Sequence, residues 1–218
     1  MTSIRHKVST SSTARDRSTA ASAASAASED AYLDAAREAI LAVGWSRTTL
    51  TDIARRAGVS RMTLYRRWPD TQTLLADLMT REWGSVVALA AERAASRSTA
   101  RERITSGVVA TVQALRGNEL VRRIVDVDPE VLLPYLLDRR GRSQQYVADA
   151  TAALVEEGQR DGSVRTGDPT TLARALVLAA HGFVLSAHTM VDESAGRDAD
   201  VSHLDAELTH LVDSFLAP

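Results

Sequence analysis

The chain has no cysteine, which excludes disulfides, thiolate metal sites and cysteine nucleophiles together. Aromatic residues make up only 4% of the 218, so any ligand pocket is expected to be chiefly aliphatic and to suit a hydrophobic or amphipathic small molecule. Lysine occurs once, at Lys7, and arginine supplies the other basic groups. No apolar run approaches the roughly 20 residues that span a bilayer. The N-terminus has basic residues but no apolar signal-peptide core, so the protein is expected to be cytoplasmic, with no membrane partner. Neither a Gly-x-Ser-x-Gly elbow nor a Gly-rich phosphate loop is present, and no enzyme activity or cofactor is expected. His181 and His188, like His203 and His210, stand seven residues apart, about 10.5 Å along a helix. Zinc holds its nitrogen ligands at about 2.0–2.1 Å, so no metal site is expected.

What the chain does have is a basic island. From Gly44 to Trp68 six arginines (Arg47, Arg55, Arg56, Arg61, Arg66, Arg67) face one acid, Asp52, a local charge of plus five in a chain whose total is minus two. The island reads as two short helices. Thr49 is placed to cap the first, with Asp52 reaching back as a capping box. Leu50, Ile53, Ala54 and Ala57 recur at helical spacing, and Gly58 supplies a left-handed stop. Ser60 is a second N-cap, after which Leu64 and Trp68 share one face with Val59 at the turn. Arg61, Met62, Thr63, Tyr65, Arg66 and Arg67 are left outside. An arginine cluster alone is often only a solvated face. A capped helix, a Gly turn and a second helix bearing Thr, Tyr and Arg outward is what a major groove admits.

The run Ile53-Ala54-Arg55-Arg56-Ala57-Gly58-Val59-Ser60, then Thr63-Leu64-Tyr65 and Trp68-Pro69, resembles the DNA-binding domain of the tetracycline-repressor (TetR) family of transcriptional regulators. The resemblance extends from about Tyr32 to about Leu75. It implies DNA contacts from Thr49, Arg61, Met62, Thr63, Tyr65, Arg66 and Arg67, with Thr63 approaching bases and the Tyr65 hydroxyl a phosphate. Where family members commonly place a lysine at the start of the fourth helix this chain has Thr71, so the resemblance carries no phosphate contact there.

Before the island, residues 1–28 are rich in Ser, Thr and Ala and are expected to be disordered. Arg5, Lys7, Arg15 and Arg17 against Asp16 leave two readings open, a DNA-groove arm or a solvated tail. A first helix is expected from Glu29 to Val43, with Leu33, Ala36, Ile40 and Val43 on one face and Gly44 as its stop. Beyond Asp70, a cap for a fourth helix ending near Ser96, apolar spacing predicts helices through Ile104–Leu115 and Leu120–Val125. Asp128-Pro129 and Pro134 interrupt, and a long helix follows over about Gly141 to Asp161. Asp168-Pro169 opens a helix predicted to reach Met190. Ser202 and Asp205 form a capping-box pattern for the last helix, which ends near Leu216.

The expected fold is all-α: a disordered tail (1–28), a three-helix helix-turn-helix domain (29–70) and a larger helical effector-binding and dimerisation domain (71–218). By resemblance, the last two helices pair with those of a second copy through Leu172, Leu176, Phe183, Ala187, Leu204, Leu208 and Leu211; completing a monomer core is the other use for such apolar faces. Trp83, Tyr135, Tyr146, His181 and Phe183 are the large or polar-tipped side chains expected near a pocket, or else ordinary core residues. The functional expectation is a homodimeric, DNA-binding repressor released from double-stranded operator DNA by a small-molecule effector. A helical small-molecule binding or scaffold protein that no longer binds DNA is the alternative.

Overall fold

The computed structural model describes residues 12–191 and 201–218, with side chains from residue 28 onward. The described backbone is helical with no strand: α1 Ser12–Val43, α2 Leu50–Arg56, α3 Arg61–Arg67, α4 Thr71–Ala94, α5 Ala100–Gly117, α6 Glu119–Val127, α7 Arg142–Asp161, α8 Pro169–Leu185 and α9 Ser202–Leu216. Short 3-10 turns occupy Pro129–Leu132 and Ala187–Met190, and a π turn occupies Pro134–Asp138. No helix among the described residues is long and apolar enough to cross a membrane.

Several local expectations change. Residues 1–11, with Arg5 and Lys7, lie outside the described residues, but from Ser12 the segment expected to be disordered is the upstream half of α1. Alanine costs least to place in a helix, and a helix already held by Leu33, Ala36 and Ile40 propagates upstream without a new nucleus. The Thr49 capping box is only half made: Thr49 Oγ1 accepts the Asp52 N–H at 3.2 Å, while the Asp52 carboxylate accepts from Arg55 and Arg56. At α9 the expected capping box is absent, because Asp205 accepts from Gln113 at 2.9 Å and from Arg116. Helix α8 stops at Leu185 instead of Met190, where the Ser186 N–H donates to Gly182 O at 2.8 Å before the 3-10 turn begins. Asp168 does cap α8, accepting the Thr171 N–H at 2.8 Å ahead of Pro169.

Two buried clusters organise the packing. The first joins Leu33, Ala36 and Ile40 of α1, Leu50 and Ile53 of α2, Leu64 and Trp68 around α3, and Leu74, Leu75 and Leu78 of α4 to Leu120 and Ile124 of α6. The second joins Ile104 and Val112 of α5 to Val155, Val164, Leu172, Leu176, Leu208, Val212 and Leu216. Helix α6 therefore reaches back into the core that supports α2 and α3. Truncating a fully buried Leu or Ile costs about 2–5 kcal/mol, so Leu120 and Ile124 are substantial parts of that support.

A polar latch reinforces this join. Asp128, 6% exposed at the end of α6, accepts backbone N–H bonds from Trp45 at 2.7 Å and Ser46 at 3.3 Å in the α1–α2 loop. The loop reaches it because Gly44 ends α1 at φ +92°, a conformation that glycine adopts without steric cost.

Candidate nucleic-acid interface and ligand cavity

Helix α3 is held by both ends and one face. Ser60 Oγ accepts the Thr63 N–H at 3.1 Å, which satisfies one of the orphan donors of the first turn. Leu64 and Trp68 are fully buried beneath it, the Trp68 ring meeting Tyr32 edge-on at 6.1 Å and its indole N–H donating to Asp77 at 2.7 Å. The turn before it is a Schellman arrangement: Val59 N–H donates to Ala54 O and Gly58 N–H to Arg55 O, with Gly58 at φ +67°. Everything that orients α3 is thus buried or capped, and its other face is free to meet a partner.

On that face Met62 is 70% exposed, and such an apolar tip suits a thymine methyl. Thr63 is half-buried, its hydroxyl 2.8 Å from Ser60 Oγ. Arg61 lies over the Tyr65 ring at 4.9 Å and donates to the Tyr65 hydroxyl at 2.8 Å, leaving that hydroxyl's own proton to donate outward. Arg66 is exposed, as are Thr49 and Arg47 on the approach.

The charge on this face is smaller than the count of arginines suggests. Hydrogen bonds from Arg56, then Arg55, hold the Asp52 carboxyl below the ordinary carboxylate range, so both guanidiniums are partly neutralised within α2. Arg67, read from the sequence as a DNA contact, instead donates to Glu29 of α1 through Nε at 3.1 Å and Nη2 at 2.8 Å and lies over the Trp68 ring. That pairing raises its pKa further and commits it to joining α1 and α3. Arg47, Arg61 and Arg66 have no ion-pair partner among the described residues. Arg67→Ala is accordingly expected to lower thermal stability while leaving the salt dependence of DNA binding unchanged; Arg66→Ala is expected to flatten the slope of log affinity against log salt by about 2 per dimer. Titration of both variants over a salt series checks this.

The larger helical region contains an aliphatic cavity of about 130 Å³ between α4, α5, α6, α7 and α8, lined among others by Trp83, Val112, Leu115, Val121, Ile124, Tyr135, Val147, Val177, His181 and Val184. Trp83, Tyr135 and His181 are therefore on its wall. Tyr146 is not, its side chain being 59% exposed on α7, and Phe183 turns away into the second core cluster. Sequence reasoning missed Gln144, which donates to Tyr135 O at 3.1 Å and lies 3.3 Å from His181 Nε2; a glutamine without a local motif carries no signal of its place. It missed Asp128 for the same reason.

Burial pulls the His181 pKa below 6.5. The unfolded chain then binds the proton more readily than the folded one, so this contribution to stability is intact above about pH 6.5 and declines as pH falls through the window below it. Denaturant midpoints at about pH 7.5 and 5.5 are expected to differ less in His181→Gln than in the parent. An unchanged difference would remove His181 as the cause.

The apolar residues expected at a dimer interface do not form one surface. Leu172, Leu176, Ala187 and Leu208 are buried within the chain itself. Phe183 and Leu204 are half-buried, and of that set only Leu211, at 55%, is largely exposed. Leu178 on α8, 70% exposed, is an outward apolar side chain outside the expected interface set.

Residues 33–78 match the family described as bacterial regulatory proteins, tetR family. An uncharacterized HTH-type transcriptional regulator of Mycobacterium tuberculosis is 37% identical over 184 residues, 84% of this chain and 92% of that protein. Among solved structures, a protein of unknown function from Rhodococcus sp. RHA1 superposes with TM-score 0.63 at 26% identity, over 88% of this chain and 96% of that one. The R. erythropolis transcriptional repressor QsdR superposes equally well, TM-score 0.63 with the same coverages, at 18% identity.

Proposed function

The chain belongs to the tetR family of bacterial regulatory proteins and is a DNA-binding transcriptional regulator; from that premise we propose that it is a homodimeric repressor released from its operator by a small apolar or amphipathic effector. Residues 29–70 read DNA, and 71–218 bind the effector and pair the subunits, with Leu120, Ile124 and Asp128 lent back to the first region. The observation that carries the proposal is the shared wall: α6 contributes Ile124 both to the core beneath α2 and α3 and to the cavity lining. An effector that fits the cavity better when the two recognition helices are wrongly spaced lowers operator affinity by that difference in fit and no more. Dimerisation supplies the spacing, since two recognition helices must reach successive major grooves about 34 Å apart.

On α3, Thr63 and Met62 specify bases while Tyr65, Arg61 and Arg66, with Thr49 at the start of α2, position the helix on phosphates. Thr63→Ala is expected to relax preference at particular operator positions, and Tyr65→Phe to weaken all sequences alike. Gel shifts against fragments flanking its own gene, followed by a panel of single-base variants, test both. Binding without sequence preference would overturn the assignment. Arg47, Arg61 and Arg66, the cations of the helix-turn-helix face without an ion-pair partner among the described residues, are together expected to contribute about 5 to the dimer's salt slope.

A further inference from the structure

This inference rests on the effector reading above and narrows it to a ligand class. The aliphatic cavity does not close at His181. Tyr135, Leu136, Gln144, Val177 and His181 line it on one side and, on the other, line a shallower groove of about 300 Å³. The groove carries Arg139, Arg140 and Arg174, with Asp138 the one carboxylate in its lining. None of the three guanidiniums is ion-paired among the described residues. Arg139 lies over the Tyr135 ring at 5.2 Å, and Arg140 donates to the neutral amide oxygen of Gln145. Arg174 acts at longer range on Asp168, whose carboxylate is engaged by the Thr171 N–H and hydroxyl.

On another side the aliphatic cavity adjoins a further space of about 300 Å³, sharing Val87, Thr111, Val147, Val177 and Ala180 with it. A charged mouth is thus followed by a neutral waist of Gln144 and His181 and then by aliphatic walls. We infer that this continuous site binds a single-chain amphiphile with an anionic head, carboxylate or phosphate, the head held by Arg139, Arg140 and Arg174 and the chain running past His181 into the aliphatic cavity. The division of chemistry is what such a molecule requires. Burying the chain releases its apolar surface from water, whereas an unpaired anion inside would be strongly penalised and must stay at the mouth. There the guanidinium fork matches carboxylate and phosphate alike.

The test uses the full chain without DNA, titrated with hexadecanoate, hexadecyl phosphate and neutral hexadecanol at low salt, each below its aggregating concentration and followed by tryptophan emission, since Trp83 lines the cavity. Both anions are expected to bind at least about tenfold more tightly than the alcohol, and their order identifies the head group. R139A/R140A/R174A is expected to bring both down to the alcohol's affinity and leave the alcohol unchanged. Added salt is expected to erode the preference in the parent protein, which tests the charge without any substitution. Equal affinity for alcohol and anions, a preference surviving the triple substitution or high salt, or no binding of any chain overturns the inference. The same ligands are then added to the operator complex. Anions that bind through the arginines but leave operator affinity unchanged refute effector release and leave the site standing; release by the alcohol as readily as by the anions refutes the site and leaves effector release standing.

Discussion

Gly44→Ala is expected to destabilise the protein by about 2–5 kcal/mol and to loosen the recognition helices on the body that supports them. Two costs add. At φ +92° any side chain is strained, and a Cβ built there would lie 2.7 Å from Asp128 Oδ2 and 3.1 Å from Val127 Cγ1. The carboxylate cannot step aside without abandoning the Trp45 and Ser46 N–H groups, and an unsatisfied buried donor costs about 1–3 kcal/mol. For a chain of this length each kcal/mol moves the melting temperature by about 2–4 °C. Thermal unfolding of Gly44→Ala, Asp128→Ala and the double variant checks the argument. The double variant is expected to lose less than the sum of the two, because removing the carboxylate removes the collision but not the backbone strain. Strict additivity would mean that glycine and carboxylate do not act on each other.

Leu176→Glu and Leu211→Glu are expected to fail in different ways. Leu176 is 3% exposed and sits in the second core cluster, where an unpaired carboxylate costs several kcal/mol, so that variant is expected to be unfolded or insoluble. Leu211 is 55% exposed on α9; a charge there leaves the fold intact but is left unpaired and desolvated if a second copy packs on that face. Circular dichroism and light scattering at micromolar concentration separate the outcomes: a folded monomer for Leu211→Glu, little soluble protein for Leu176→Glu. A folded dimer from Leu211→Glu would place the subunit interface elsewhere, with the Leu178 face as the next to substitute.

The contrast between these two leucines also shows how far the sequence was legible. Caps, the left-handed Gly58 and the spacing of Leu50, Ile53, Leu64 and Trp68 are local, so α2, α3 and the face that α3 turns outward were readable without a structure. The start of helix α8 was readable from Asp168-Pro169, but the helix is apolar on several sides, and periodicity does not say which leucine faces its own core. Leu176 and Leu178 look alike in that pattern and differ completely in exposure. Arg67 looked like Arg66 for a related reason: its partner Glu29 lies on another helix. Asp128 before Pro129 reads as a break, since nothing within a few residues announces the Trp45 and Ser46 amides across the chain. The helical run from Ser12 follows from alanine's helix propensity, which the low hydrophobicity of the segment conceals.

The reach of α6 into the first core bears on whether the DNA reader is portable. A chimaera that keeps residues 1–70 and replaces everything after Pro69-Asp70 would lose the buried partners Leu74, Leu75 and Leu78 along with Leu120, Ile124 and the Asp128 acceptor. The Trp45 and Ser46 amides would then face whatever the foreign body offers. A regulator rebuilt with a new operator preference is better made by changing Met62 and Thr63 in place, where the buried support of α3 is left intact and the graft has no seam.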